Sequence, residues 1–164
     1  GEYLPMRSIA EKVSRYSSQI IDFKAGDENV VFDVNKIRFN TLICYELIDD
    51  SFVPEAINDF LVVQTNNATF GDTNQLDQQI NIARVRALES GRGIAYVSTT
   101  GTTAFITSNG KIDSSLEKFK PATLKDQIII SRGQTYRQSF GHLIEPFAMI
   151  VFVGLLLLRV RGRS

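Results

Sequence analysis

The sequence feature that most constrains the fold is an uncharged apolar run near the C-terminus, PFAMIVFVGLLLL at residues 146–158. No polar face interrupts the run, so a helix through it would be apolar on every side. Extended to residues 143–160 it gives a helix of about 27 Å, short but usable for crossing a bilayer. The run therefore favours a membrane span, and the alternative is a C-terminal helix buried in the protein core.

Basic residues follow the run directly, at Arg159, Arg161 and Arg163. Positive charge collects on the cytoplasmic side of a span, so we expect a cytoplasmic C-terminus and an extracytoplasmic body. The chain starts with GEYLP and has no signal-peptide pattern. We therefore expect a fragment of a longer, multi-pass protein of the cell membrane, with a catalytic domain over residues 1–140 and a transmembrane helix over 141–164.

Composition excludes several functional classes. The 164 residues suffice for one domain with a sizeable core. Eighteen basic residues balance 18 acidic ones, whereas proteins that wrap nucleic acid usually carry a basic excess, so we expect no nucleic-acid partner. The single Cys and single His cannot form an intramolecular disulfide or a Cys/His zinc site, and we expect neither a metal nor another cofactor.

Strand and helix patterns alternate in the first half of the chain. Residues 8–23 have mixed periodicity and fit a helix or irregular structure. The other predicted elements are strands at 30–33 and 37–44, a short helix at 54–60 and a buried parallel strand at 61–64.

A long helix is predicted from about Gln75 to Ser90, with Gly91 as its stop signal. Its apolar positions form one helical stripe, made of Leu76, Ile80, Ala83 and Ala87. Charged residues at Arg84, Arg86, Glu89 and Arg92 have the spacing of a solvated helix face.

Later strands are predicted at residues 94–98, 103–108 and 128–130. The Asn109-Gly110 pair after the second of them is a strong hairpin signal. Because helices alternate with strands early and hairpins come late, the fold class is α/β or α+β, with a layered sandwich.

The sharpest candidate for chemistry is Cys44, which ends a predicted strand and is followed by Tyr45 and Glu46. A nucleophile at a strand end is held rigidly and faces a cleft. A thiol suits acyl transfer, because the thiolate is strongly nucleophilic and a thioester stays reactive toward amines. The alternative is that Cys44 packs as a small core hydrophobe. The single histidine, His142, adjoins the apolar run and is expected at the membrane interface rather than in catalysis.

Several segments together resemble apolipoprotein N-acyltransferases, a membrane-embedded family of the nitrilase (carbon–nitrogen hydrolase) superfamily. The matching segments cover nearly the whole chain: GEYLP at 1–5, ICYE at 43–46, TNNATFGD at 65–72, ARVRALESGR at 83–92, STTGTTA at 98–104, and the apolar segment with its basic end.

The resemblance implies a nitrilase-like αββα sandwich outside the cytoplasmic membrane, incomplete here at its N-terminus, with a Glu–Lys–Cys triad. Cys44 matches the nucleophile, and Tyr45 and Glu46 match the active-site residues that follow it. Glu2 matches a further essential Glu in the loop after the catalytic Lys. The family's Lys and base Glu would precede Gly1, so we expect the 164-residue piece alone to be inactive.

The resemblance also implies the substrates. A phospholipid would donate an acyl chain to the cysteine, and the N-terminal amine of a diacylglyceryl-cysteine lipoprotein would accept it. The sequence departs from the family pattern at Thr69, at Thr99 and at residues 135–137. Two other functions stay open: a nitrilase-type amidase that needs no lipid, and a non-catalytic, membrane-anchored binding domain that tolerates Cys44→Ser.

Overall fold

The computed structural model describes residues 6–13, 28–49 and 58–161. Its strands are β1 (Val31–Val34), β2 (Ile37–Ile43), β3 (Phe60–Thr65), β4 (Gly93–Ser98), β5 (Ala104–Ile106) and β6 (Ile112–Ser115). Its α-helices are α1 (Arg7–Val13), α2 (Gln75–Ser90) and α3 (Tyr136–Arg161), and short 3₁₀ helices cover Cys44–Leu47 and Ala68–Phe70.

The strands form one mixed six-stranded sheet in chain order, β1 to β6. Strand β3 runs parallel to both of its neighbours, β2 and β4, whereas the other pairs are antiparallel. The predicted parallel strand at residues 61–64 is therefore confirmed. Because β2, β3 and β4 point the same way, their C-terminal ends meet at one edge of the sheet, which is where Cys44 follows β2.

The core lies between α2 and one face of the sheet. Alternate residues of the central strands are buried there, as the two-residue period of a strand requires. The sheet contributes Leu42, Leu61, Val63, Ile94, Tyr96, Ala104 and Ile106. The predicted stripe of α2 is confirmed, since all four of its residues are buried. Gly91 ends the helix in the left-handed conformation with φ of 63°, which glycine adopts without strain.

The opposite face of the sheet is only partly covered by the described residues. It carries an aromatic row in which the Phe39 ring stacks on Phe32 at 5.2 Å and on Phe60 at 5.0 Å. The described chain thus provides a helix layer and a sheet layer. In an αββα sandwich, a second sheet would cover this aromatic row.

The Asn109-Gly110 hairpin is confirmed. It joins β5 to β6, and Gly110 has φ of 76° while its N–H donates to the Thr107 carbonyl oxygen at 2.9 Å.

One predicted strand is wrong, and one predicted helix is wrong at its C-terminal end. Residues 128–130 pair with no strand among those that the structure describes; Ile128 packs beside Gly93, and Ile129 is 77% exposed. An apolar triplet is too short to distinguish a strand from an extended segment lying against a sheet. The helix predicted at 54–60 fails at Phe60, which begins β3 because its ring stacks on Phe39 in the parallel register. Residues 54–57 of that prediction lie outside the described residues.

Helix α3 is 26 residues long, or about 39 Å, and contains Pro146. Its Tyr136–Arg159 segment has a mean hydropathy of 2.0 over its most apolar window, of which only 6% is buried. The alternative of a buried C-terminal helix is therefore wrong for the described residues. By length and composition, α3 can cross a bilayer whose hydrocarbon core is about 30 Å thick.

Candidate active site

The candidate site is built on the sharp bend between β2 and the 3₁₀ helix Cys44–Leu47. Ile43 is still extended, with φ of −107° and ψ of 115°, and Cys44 then has a positive φ of 52°. A non-glycine residue in this region stores backbone strain of about 1–3 kcal/mol, which the surrounding structure must hold. A strained residue between a strand and a helix is the arrangement that presents the nucleophile of α/β-hydrolases at a sheet edge.

Glu46 stabilises the bend. Its Oε2 accepts a hydrogen bond from the Ile43 N–H at 2.7 Å, so the carboxylate reaches back across the residue that carries the thiol. The Glu46 carboxylate thus accepts a hydrogen bond from a backbone N–H at the end of β2, where hydrogen bonding between neighbouring strands stops.

Arg86 of α2 fixes the other end of the 3₁₀ helix. Its Nε donates to the Leu47 carbonyl oxygen at 2.7 Å, and its Nη2 donates to the Ile48 carbonyl oxygen. Its Nη1 pairs with Glu89 at 2.8 Å, and only 11% of the Arg86 side chain is exposed. The helix layer therefore holds the bend that carries Cys44.

The Cys44 thiol is buried, yet its side-chain neighbours are polar. Cys44 is 6% exposed and lies outside the apolar core cluster. The Thr65 hydroxyl at the end of β3 donates toward Sγ at 3.4 Å, and the Gln79 amide from α2 donates toward Sγ at 3.5 Å. The Gln79 Nε2 also donates to Thr65 Oγ1 at 3.0 Å, so all three side chains form one contact group.

Two further buried side chains adjoin this group. Asn67 is fully buried, and its Oδ1 accepts a hydrogen bond from the Thr65 hydroxyl at 2.5 Å. Tyr96 of β4 is 1% exposed, and burial raises its pKa to about 12; the Asn67 side chain opposes the rise, and the interaction with Cys44 adds to it. Asn67 Nδ2, Gln79 Oε1 and Tyr96 Oη have no hydrogen-bond partner among the described residues.

The outer side of the bend is apolar and open. Tyr45 is 52% exposed, and its ring meets Phe70 edge-to-face at a centroid distance of 6.4 Å. Partial burial raises the pKa of the Tyr45 phenol, with a smaller contribution from Cys44. Ile43 and Ile48 on either side are also about half exposed. The thiol thus lies beneath a bend whose surface is suited to apolar groups.

Loops after β3 and β4 close the same edge of the sheet. The Thr99 N–H donates to the Thr65 carbonyl oxygen at 3.2 Å, and Thr99 Oγ1 accepts from the Asn67 N–H at 3.1 Å. The Gly101 N–H donates to Ser98 Oγ at 2.8 Å. These contacts hold Asn67 beside Thr65.

The structure brings three of the four predicted site residues together. Cys44, Tyr45 and Glu46 all lie on the bend, where Cys44 is buried, Tyr45 faces outward and Glu46 binds backbone. Glu2 lies outside the described residues. His142 is exposed on α3 and belongs to no described contact group at the thiol.

The prediction of a solvated face is wrong for Arg86 and Arg92, whereas Arg84 is exposed. Besides Arg86, Arg92 is 2% exposed and donates to the carbonyl oxygens of Asn58 at 2.5 Å and Gly133 at 2.9 Å. Arg84 Nε donates to the Gly110 carbonyl oxygen at 2.9 Å. Guanidinium groups reach carbonyl oxygens across several elements, which spacing within one helix cannot reveal.

Sequence reasoning missed the roles of Thr65, Asn67, Gln79 and Tyr96. One signal was available for Gln79, because it lies three residues after Leu76 and four before Ala83, on the buried stripe of α2. A polar residue within an apolar stripe needs a polar partner, and here that partner is the thiol group.

Curated relatives match almost all of this chain. It is 33% identical over 162 residues to an apolipoprotein N-acyltransferase from Wigglesworthia glossinidia brevipalpis, covering 93% of this chain and 32% of the relative. The apolipoprotein N-acyltransferase from Haemophilus ducreyi is 33% identical, covering 87% of this chain and 29% of the relative. The one from Mycolicibacterium smegmatis is 31% identical, covering 98% and 27%. The chain spans about a third of these relatives' length, and no protein-family model matches it.

Solved structures match the fold. A glutamine-dependent NAD⁺ synthetase from Acinetobacter baumannii has a TM-score of 0.55 and 20% identity, covering 61% of this chain and 21% of that chain. An amidase of the nitrilase superfamily from Nesterenkonia has a TM-score of 0.52 and 15% identity, covering 72% and 44%. A CN-hydrolase superfamily protein from Xanthomonas campestris has a TM-score of 0.50 and 18% identity, covering 58% and 42%. At these identities the likeness is one of fold.

Proposed function

We propose that this chain, a relative of the apolipoprotein N-acyltransferases with a nitrilase-superfamily fold, contributes the nucleophilic cysteine of a membrane acyltransferase. The observation that carries the proposal is the position of Cys44. It lies at a strained strand-to-helix bend, at the edge where three parallel strands end, with polar side chains around its sulfur. Ligands of open α/β sheets bind at this edge.

In the first proposed step, Cys44 takes an acyl chain from a phospholipid. The thiol loses its proton to a general base, and the sulfur attacks the ester carbonyl carbon. A C–S bond forms, the ester C–O bond breaks, and the base returns the proton to the leaving oxygen of the lysophospholipid. The products are an acyl thioester on Cys44 and a lysophospholipid.

In the second proposed step, the thioester passes its acyl chain to an amine. The N-terminal amine of a diacylglyceryl-cysteine lipoprotein attacks the carbonyl carbon and loses a proton to the base. An N–C bond forms, the C–S bond breaks, and the leaving sulfur regains a proton. A thioester suits this step because it stays reactive toward amines.

The base and the cation for these steps are expected in sequence that precedes Gly1. The family resemblance implies a Glu as general base and a Lys that stabilises the tetrahedral intermediate, with Glu2 in the loop that follows the Lys. We therefore propose that residues 1–164 are inactive without that sequence.

Helix α3 supports a role at a membrane. Both proposed substrates are anchored in lipid, and tethering the domain to the bilayer raises their effective concentration at the thiol. We propose that α3 is one span of a multi-pass protein of the cell membrane, with the catalytic domain outside and the arginines after the span in the cytoplasm. The apolar outer side of the bend, with Tyr45 and Phe70, suits an acyl chain.

The test uses the full-length protein in phospholipid vesicles with a diacylglyceryl-cysteine peptide. We expect acyl transfer to the peptide amine, and a loss of at least a thousandfold for Cys44→Ala, because the variant lacks the sulfur that is proposed to hold the acyl chain. Unchanged transfer by Cys44→Ala would overturn the proposal. A small amide offered without phospholipid tests the amidase alternative, and its hydrolysis by the wild type in place of acyl transfer would support that alternative.

A further inference from the structure

The Thr65 hydroxyl has two acceptors within reach but only one hydrogen to donate. Its Oγ1 lies 2.5 Å from Asn67 Oδ1 and 3.4 Å from Cys44 Sγ. The same oxygen already accepts a hydrogen bond from Gln79 Nε2 at 3.0 Å. Because a hydroxyl donates one hydrogen bond at a time, these two donations are alternatives.

The charge on the sulfur decides between the two acceptors. A neutral thiol is a weak acceptor, so the hydroxyl donates to the short contact with Asn67 Oδ1. A thiolate is an anion, and hydrogen bonds to ionised acceptors are roughly twice as strong as neutral ones. A rotation about the Thr65 Cβ–Oγ1 bond then turns the hydrogen toward Cys44 Sγ.

The Gln79 amide complements this rotation. Its Nε2 carries two hydrogens, and the two contacts it makes, to Cys44 Sγ and to Thr65 Oγ1, use one each. Gln79 is 6% exposed, so water does not compete strongly for these donors. In addition, Asn67 Nδ2 is buried beside the same group and has no hydrogen-bond partner within the part of the chain that the structure describes.

We infer that Thr65 and Gln79 are positioning residues that together donate two hydrogen bonds to the Cys44 thiolate, with the Thr65 hydroxyl turning from Asn67 to the sulfur as the charge forms. The inference rests on the proposed role of Cys44 as nucleophile. The thiol proton leaves to the general base or to solvent, and Thr65 and Gln79 keep their own protons. Their hydrogen bonds orient the sulfur and hold its charge before it attacks.

Among the described residues, two phenols near the sulfur stay protonated around neutral pH. Tyr45 faces it from the 3₁₀ helix and Tyr96 from β4, and the pKa values of both phenols are raised, so both are neutral there. The Glu46 carboxylate binds the Ile43 N–H, and the contacts from β3 and α2 come from uncharged side chains. The proposed base and cation that precede Gly1 are the same in every variant, so differences between the pH profiles of the variants report on the replaced side chain.

The test measures iodoacetamide alkylation of Cys44 against pH in the full-length protein, read by mass spectrometry of the Cys44 peptide. Thr65→Val removes the hydroxyl at nearly constant shape, and Gln79→Leu removes the amide. For each we expect the pH of half-maximal rate to rise by about one unit and the rate at pH 7 to fall about tenfold. Thr65→Ser should restore the wild-type profile. The matched control is Thr41→Val on the other face of β2, which should leave the profile unchanged.

If Thr65→Val and Gln79→Leu both fold and both keep the wild-type alkylation profile, the inference is overturned. If one of them fails to fold, the profile of the other variant decides in the same way. Acyl transfer from labelled phospholipid is measured on the same samples. Alkylation profiles that do not shift in the variants, together with intact acyl transfer, would overturn the inference and leave the proposed function standing. Shifted profiles without acyl transfer in the wild type would support the role of Thr65 and Gln79 and overturn the proposed function.

Discussion

Arg86 and Leu47 are joined by a 2.7 Å hydrogen bond from the guanidinium Nε to the carbonyl oxygen. This contact links the helix layer to the last residue of the 3₁₀ helix that begins at Cys44. The same helix, α2, supplies Gln79 to the sulfur. One element thus holds both the backbone of the bend and the surroundings of the thiol.

Removing the Arg86 guanidinium should destabilise the fold. Arg86→Met keeps the apolar stem but leaves the carbonyl oxygens of Leu47 and Ile48 without this donor, and we expect a loss of about 2 kcal/mol in the free energy of unfolding. Thermal or denaturant unfolding of the detergent-solubilised protein measures the loss. The control is Glu117→Ala, whose side chain is 75% exposed and should change stability by less than about 0.5 kcal/mol. Equal stability of the two variants would contradict this role for Arg86.

Asp59 should make the fold sensitive to acid. The Arg38 N–H donates to Asp59 Oδ2 at 2.9 Å and holds the pKa of that carboxyl below its usual value, with help from Arg132. Because the carboxyl pKa is lower in the folded state, its stabilisation is present above about pH 4 and is lost as pH falls through the folded pKa. We expect Asp59→Asn to flatten the acid limb of a plot of melting temperature against pH. An unchanged slope in that limb would contradict the prediction.

Tyr96 should make the fold sensitive to alkali. Burial raises its pKa to about 12, so the folded state keeps the phenol proton at a pH where the unfolded chain releases it. Stability should therefore fall between about pH 10 and 12, because the unfolded state binds fewer protons in that interval. Tyr96→Phe should reduce this fall. Since Tyr96 Oη has no hydrogen-bond partner among the described residues, the variant should lose little stability at pH 7. Unfolding measurements across this pH range would contradict the prediction if the stabilities of the wild type and of Tyr96→Phe fell by the same amount.

The orientation of α3 can be tested by labelling the C-terminus. In a Cys44→Ser background, Ser164→Cys should react with a membrane-impermeant maleimide in inverted vesicles and not in intact spheroplasts. The matched control is Lys120→Cys in the body, whose side chain is 70% exposed and should react with the opposite preference. Both sites are read at the peptide level by mass spectrometry. Labelling of both from the same side would contradict a membrane span between them.

The elements predicted best from the sequence are those with a strong local signal, either a repeat of apolar residues or a turn motif. Helix α2 begins and ends where the apolar stripe and Gly91 indicated, and the Asn109-Gly110 turn joins two paired strands. In these cases residues close in the chain determine the structure. The length and apolar surface of α3 also follow from local sequence.

What sequence did not reveal depends on distant contacts. The sequence predicted Cys44 at the end of a strand, but its polar neighbours come from β3 and α2, which lie 21 and 35 residues further along the chain. Arg86 has the spacing of an exposed helix residue, yet it reaches carbonyl oxygens 38 and 39 residues earlier. The triplet at 128–130 has strand composition but pairs with no strand of the described residues. Each outcome is decided by tertiary packing, which local pattern does not encode.

The most direct test that Cys44 carries the acyl chain is the mass of the Cys44 peptide. It is measured after the full-length protein is incubated with labelled phospholipid in the absence of an acceptor amine. We expect the added mass of one fatty acyl chain on Cys44, and we expect neutral hydroxylamine to remove it, as it removes a thioester. A Cys44 peptide that stays unmodified while labelled acyl chains reach an added acceptor would contradict this expectation.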